Sequence, residues 1–233
     1  MSYNKILDND IDSIKREILA MIEATKSQYA RTFEVIKNQS DELAKKVIAD
    51  DKKINDLQNS FTNMALWKIA KQQMVAGDLR LAVGAILISR EIERIADYAK
   101  SICKFFVKYK PEQKALGYVS KMFDLVTQML NSILTMFENF DVIKPENLFD
   151  LEAKLNMSFN ELNNEIISVA ESNSEFKSVE NLFMTLRQLK NLERAGDHIV
   201  SVEEVLRFIK TGKFEDIELA DQNVQVDKIK NEN

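Results

Sequence analysis

The sequence predicts an all-α protein made of two tandem, pseudo-repeated three-helix bundles, six helices in all. Three observations carry that reading. Leu, Ile, Ala, Lys and Glu are abundant among the 233 residues, whereas only 5 are Gly and 2 are Pro, too few for a β-rich or loop-rich chain. Apolar residues recur every three or four positions over long stretches, the period of a helix with one buried face. The stretch Arg90-Glu91-Ile92-Glu93-Arg94-Ile95-Ala96-Asp97 returns 100 residues later as Lys190-Asn191-Leu192-Glu193-Arg194-Ala195-Gly196-Asp197. The two copies share Glu-Arg-x-x-Asp, a preceding aliphatic residue and a cation three before the Glu. Such a repeat marks two copies of one unit of roughly a hundred residues. The units are expected at 1–110 and 111–213, with a polar, frayed tail at 214–233.

The first helix is expected over residues 4–37, with Ile11, Ile14, Ile18, Ile22, Thr25, Tyr29 and Phe33 as its stripe. Asn38 to Asp41 break it, and Ser40 or Asp41 can cap the next helix. That second helix spans 42–69 with Leu43, Val47, Ile54, Leu57, Phe61 and Met64 inward. Between Val47 and Ile54 the stripe lands on Asp50 or Asp51, so an acid stands at or near the seam. A buried carboxylate is costly unless it is paired or holds a metal, and a stripe that rotates past Asp51 would leave it in solvent. Gly77 and Asp78 supply a break and an N-cap for the third helix, which runs to about residue 108. Ile88, Ile92, Ile95, Ala99, Ile102 and Phe106 form its apolar line, and Arg90, Glu93, Asp97, Lys100 and Lys104 an adjacent polar one.

Pro111 ends the first unit and starts the fourth helix, 112–140, with Leu116, Val119, Phe123, Val126, Leu130, Ile133 and Phe137 inward. Pro145 repeats the device before the fifth helix, 147–172, which carries Leu148, Leu151, Leu155, Phe159, Leu162 and Ile166. Asn173-Ser174 turns the chain into the sixth helix, 176–210, with Leu182, Leu186, Leu189, Leu192, Gly196, Ile199 and Val202 inward. Gly in mid-helix costs about 1 kcal/mol relative to Ala, so Gly196 points to close backbone approach or ligand access. Gly212 is placed to end the helix. Short connections make neighbouring helices antiparallel.

Composition narrows the function. A net charge of -5 with 30% charged residues gives no bulk attraction to nucleic acid or anionic lipid. A single cysteine, Cys103, excludes a disulfide framework and fits a reducing compartment. The start reads as charged helix rather than a secretory signal, and the longest apolar runs fall short of the ~20 residues of a membrane span. A cytoplasmic location is the expectation.

The acids carry the candidate site. Glu and Asp four apart lie one turn apart on one helix face. The third helix offers Glu93 and Asp97, and the sixth Glu193 and Asp197. The second and fifth helices offer an acid four before an Asn, Asp51 with Asn55 and Glu152 with Asn156. Were these helices to face each other, each bundle would gather four oxygen-bearing side chains in one hard, anionic patch. A solvated face of ion pairs, each worth about 0.3–0.5 kcal/mol, is the plainer account of one copy alone; the repetition favours function.

The chain resembles the PhoU family of phosphate-uptake regulators. The resemblance rests on Asp50-Asp51-Lys52-Lys53-Ile54-Asn55, Val75-Ala76-Gly77-Asp78-Leu79-Arg80, Glu93-Arg94-Ile95-Ala96-Asp97 and Asn191-Leu192-Glu193-Arg194-Ala195-Gly196-Asp197-His198. It covers the chain from about the first helix to Lys213. It implies two similar three-helix bundles and iron or zinc clusters held on their surfaces by paired acidic motifs. Glu93 and Asp97 match one motif and Glu193 and Asp197 its repeat; Asp51 with Asn55, and Glu152 with Asn156, match the partner segments. Asn55 and Asn156 stand where Asp would be the better anionic ligand, which lowers affinity for a hard cation. Met74 replaces a Pro common before Val-Ala. The resemblance also implies negative regulation of high-affinity phosphate uptake. Its partners would be a phosphate ABC transporter and a sensor histidine kinase, and it would act as a homodimer.

Other readings compete. A ferritin-like di-iron oxidase needs Glu-x-x-His from two helices, and the chain has one histidine, His198. No P-loop or nucleophile elbow is present, and Cys103 sits among Ile102, Phe105 and Phe106 as a core residue would, so the chain does not read as an enzyme. His198 reads as a helix-surface or capping partner. An accessory protein of a low-affinity phosphate permease, and a metal-free helical adaptor whose acids pair with Arg90, Arg94, Lys190 and Arg194, stay open.

Overall fold

The computed structural model describes residues 3–138, 146–172 and 179–213. Among these the chain forms six helices and no strand: α1 (Tyr3–Asn38), α2 (Asp41–Lys71), α3 (Ala76–Tyr109), α4 (Gln113–Glu138), α5 (Glu146–Ser172) and α6 (Val179–Thr211). Expected and observed ends agree within a few residues because the breakers are local. Ser40 caps α2, its hydroxyl accepting from the Leu43 N–H at 3.3 Å. Gly212 ends α6 with φ +78° and its N–H on the Phe208 carbonyl at 2.8 Å. The start of α3 departs from expectation. Val75 is its N-cap, with no side-chain cap bond, and Gly77 and Asp78 lie inside the first turn, where the Asp78 charge suits the helix dipole. The Pro145 break, the Asn173-Ser174 turn and the tail at 214–233 lie outside the described residues.

Helices α1, α2 and α3 pack on one another, and so do α4, α5 and α6. The two groups join through α3 against α6 and α1 against α4, while α2 and α5 pack within their own groups. The third and sixth helices cross antiparallel: Gly84 lies under Val205 and Ile209, and Ser101 reaches Gln188 and Asn191. The repeated positions Tyr98 and His198 meet at the middle of this crossing, 3.3 Å from hydroxyl to Nε2. Tyr98 and His198 stand at matching points of the two copies, so the crossing relates the copies about that contact.

One core runs through both groups. Every residue of the expected α3 line is buried, as is every residue of the α4 line. Gly196 permits a close helix approach, since a Cβ there would stand 2.4 Å from Leu155 Cδ2. Phe33 departs from its stripe: it is 38% exposed and stacks on Phe123 from outside, at 6.3 Å between ring centroids. Its place inward on α1 is taken by polar residues. Thr25, Gln28 and Thr32 are all buried, at spacings of three and four; Gln28 reaches Asp51 on α2 and Thr32 reaches Cys103 on α3. Among the described residues no helix is long and apolar enough to cross a membrane.

Candidate functional site

The polar seam on α1 exists because something polar faces it. Asp51 on α2 is 3% exposed, so the stripe of α2 does carry an acid into the interior. Its Oδ1 accepts from Gln28 Nε2 at 3.1 Å and its Oδ2 from Lys100 Nζ at 2.6 Å. Lys100 also pairs with Asp97, three residues before it on α3. A single ammonium thus ties α2 to α3, and Gln28 adds α1. Burial by itself favours the neutral amine, but hydrogen bonds and charge from Asp51 and Asp97 outweigh it and hold Lys100 above the ordinary lysine range.

Glu93 sits one turn before Asp97 and is half-buried. Burial, then the neighbouring charges of Asp97 and Asp51, push its carboxyl above the usual range; Arg94 and Lys100 oppose this only in part. Glu93, Arg90 and Asn55 line one polar groove of about 470 Å³ with Gln58, Asn59, Thr62 and Asn63. The Asn55 Oδ1 is shielded from solvent and accepts no hydrogen bond. The expected meeting of α2 and α3 therefore occurs in the first unit: Asp51, Asn55, Glu93 and Asp97 lie along one interhelical seam.

The second unit is built differently. Glu193 and Asp197 neighbour each other on α6, and burial followed by the Glu193 charge raises the Asp197 carboxyl above its usual range. Lys190 pairs with Glu193 at 2.7 Å from the turn before. On α5, Glu152 is half-buried and Asn156 exposed, on either side of the Leu155 that packs against Gly196.

As the side chains stand, they do not fit the iron or zinc clusters implied at the sequence level. A hard divalent ion needs several oxygens with free lone pairs converging on one point. Both oxygens of Asp51 already accept hydrogen bonds, and the point between Asp51 and Asp97 holds an ammonium. Among the described residues, no three His, Cys, Asp or Glu side chains are grouped to hold a metal ion.

Two other groups bear on the chemistry. Cys103 is buried beside the Thr32 hydroxyl at 3.5 Å, and burial pushes its thiol up to about 11, which suits a core residue and not a nucleophile. His198 is not a surface cap: it lies half-buried between the two units, its Nδ1 2.5 Å from Glu91 Oε2.

The sequence reading missed Gln28, Thr32 and Lys100 as members of the site. Thr25-x-x-Gln28-x-x-x-Thr32 is a polar line at helical spacing, and such a line on a buried helix needs a polar partner. The pattern puts Lys100 on the polar face of α3 but does not show its partner on α2. It missed Glu203 too, which is fully buried on α6 and paired with Arg207 at 2.8 Å. Glu-x-x-x-Arg, one turn apart, was the available signal.

The fold and this seam can be set against known proteins. The PhoU domain matches residues 7–106 and again 119–206. The chain belongs to the PhoU family. A relative from Caulobacter vibrioides (strain NA1000 / CB15N), a "Phosphate-specific transport system accessory protein PhoU homolog", is 26% identical over 226 residues, 96% of each chain. The "Phosphate-specific transport system accessory protein PhoU" of Escherichia coli (strain K12) is 24% identical over 209 residues, 88% of this chain and 85% of its own. The fold is that of the phosphate transport system regulatory protein PhoU from Streptococcus pneumoniae, with a TM-score of 0.79 at 20% identity, covering 91% of this chain and all of that one. PhoU from Pseudomonas aeruginosa gives a TM-score of 0.80 at 19% identity over 88% of this chain and 99% of its own. Two three-helix units in tandem are what PhoU proteins share with this chain.

Proposed function

We propose that this chain is an accessory regulator of phosphate transport. It restrains high-affinity uptake and the phosphate-starvation response when phosphate is plentiful, by linking a phosphate ABC transporter to a sensor histidine kinase. The observation that carries the reading is the match of both helical units to the PhoU domain, together with relatives of nearly the same length whose names place them in the phosphate-specific transport system. Fold alone does not assign a role, so the family membership, not the helices, bears the weight.

The surface is suited to an adaptor. Val75, Leu79, Val83 and Leu87 lie four apart, from the N-cap of α3 through its first half, all more than a third exposed. Leu66 and Trp67 near the end of α2 are also exposed, at 53% and 58%. Apolar side chains presented along one helix edge are the kind of surface that a protein partner covers, be it a transporter subunit, the kinase or a second copy in a homodimer. The role is regulatory and not catalytic.

Deleting the gene in its host tests the reading. Alkaline phosphatase activity and phosphate-transporter transcripts are measured in phosphate excess. Both should rise in the deletion strain and return to the parental level on complementation. Unchanged expression in phosphate excess would reject the proposal.

A further inference from the structure

A cation is already seated among the carboxylates of the first unit, and it is a side chain. Lys100 Nζ lies 2.6 Å from Asp51 Oδ2 on the neighbouring helix and pairs with Asp97 on its own. The repeat does not demand this lysine: the register that aligns Glu93 and Asp97 with Glu193 and Asp197 sets Val200 opposite Lys100. We infer that Lys100 is a tethered cation standing in the place of a metal ion, so that the first unit closes its own acidic seam and takes no metal there.

Three features of the seam support this. Both oxygens of Asp51 are engaged. Asp51 accepts from Gln28 through one oxygen and from Lys100 through the other, while Asn55 contributes only a neutral amide oxygen. Next, the ammonium is tethered beside the seam. It is carried on α3 itself, three residues after Asp97, so an arriving divalent ion would displace it only by a short distance and would then face a like charge. Finally, the chemistry suits the position. A lysine ammonium is a compact charge with three rotatable donors on a long stem, able to serve carboxylates on two helices at once. The result is a mechanical link: α3 is held to α2 by Lys100 and Asp51, and α2 to α1 by Asp51 and Gln28, without any bound ion.

The second unit carries no lysine at the matching position. Val200 has no charge, and the partner of Glu193 is Lys190, half-exposed and from the preceding turn of the same helix. The inference concerns the first unit alone.

The test uses the full chain purified without chelator, titrated with Zn(II) by calorimetry and with Co(II) by its visible absorption. The Lys100→Met protein should bind one more divalent ion per chain than the unsubstituted protein. Adding Asp51→Asn to Lys100→Met should remove that extra ion, whereas Asp51→Asn alone should leave the unsubstituted count unchanged. Should Lys100→Met lack the helical circular dichroism of the parent, Lys100→Gln, which keeps a neutral donor, is judged by the same counts. The inference is overturned by a folded Lys100 variant that binds no more metal than the parent. It is equally overturned if Asp51→Asn in the parent lowers the parent's own metal count, because metal would then already displace Lys100.

Discussion

Replacing Asp51 by Ala removes the group on which three helices converge, and its cost can be worked from the contacts. The carboxylate is 3% exposed, takes a hydrogen bond from Gln28 at 3.1 Å and is ion-paired to Lys100 at 2.6 Å. Removing one partner of a buried pair costs about 3–5 kcal/mol because the other charge is left stranded. Here the loss falls at the low end, since the Lys100 side chain is 20% exposed and keeps Asp97. A hydrogen bond to a charged group adds weight to that figure without exceeding it, being worth about 1.5–3 kcal/mol by itself. The expected loss is therefore about 3 kcal/mol, and at about 2–4 °C per kcal/mol for a chain of this size the melting temperature should fall by roughly 6–12 °C. Thermal unfolding followed by circular dichroism measures it. Because the pair is buried, the drop should persist at about 0.5 M salt, where exposed pairs are screened. Asp51→Ala combined with Lys100→Met should cost less than the sum of the two single changes, since each removes the other's stranded charge. A drop of under about 0.5 kcal/mol, or strict additivity, would show that Asp51 is solvated and that the seam does not hold the helices together.

Three further outcomes follow from the same geometry. Glu93 has its carboxyl raised by burial, so the folded state holds a proton more tightly than the unfolded chain; the penalty is absent below the ordinary carboxylate range and grows as pH rises through the raised value. Glu93→Gln should accordingly raise the melting temperature at pH 7 and make no difference near pH 3.5; an equal or lower melt at pH 7 would contradict the burial assigned to it. Cys103, its thiol pushed up to about 11 and fully buried, should resist alkylation by iodoacetamide at pH 7.5 in the native protein and react at once in denaturant, as mass spectrometry would record; fast native labelling would contradict its place in the core. Gly196→Val drives a branched side chain into the space of Leu155, where even a Cβ would be 2.4 Å away, and should destabilise by about 1–3 kcal/mol in the same melts; an unchanged melt would mean that α5 and α6 do not approach as closely as described.

The architecture was legible because its signals are local. Ser40, Pro111 and Gly212 act on their own turns, and the apolar period of α3 and α4 needs nothing beyond the helix itself, so boundaries and buried lines came out close to the fold. Where two breakers stood side by side the reading slipped: Asp78 is a better capping residue than Val75, yet the helix begins before it, so that Asp78 meets the dipole from within the first turn. The site was legible by halves. Glu93 with Asp97 and Glu193 with Asp197 follow from spacing along one helix. The pattern alone does not decide whether Asp51 is buried, because a period of 3.6 drifts, and only packing against α1 and α3 fixes which side of the stripe faces inward. Lys100 could not be read as the partner of Asp51, since the two are 49 residues apart and meet only when α2 and α3 pair. Phe33 and Gln28 show the same limit from the other side. The apolar ring stands outside and the amide inside, because the neighbour of α1 at that level is a carboxylate. The interdigitation of Tyr98 with His198 depends on how the two units cross, which no single helix encodes.

The central claim is that α2 and α3 of the first unit meet around a lysine and not around a metal. A crystal structure of the full chain, grown with Zn(II) present and measured on both sides of the zinc absorption edge, addresses it directly. The account predicts no anomalous peak between Asp51 and Asp97, with the Lys100 ammonium in hydrogen-bond contact with both carboxylates. A zinc peak at that point, with Lys100 turned away to solvent, would contradict it.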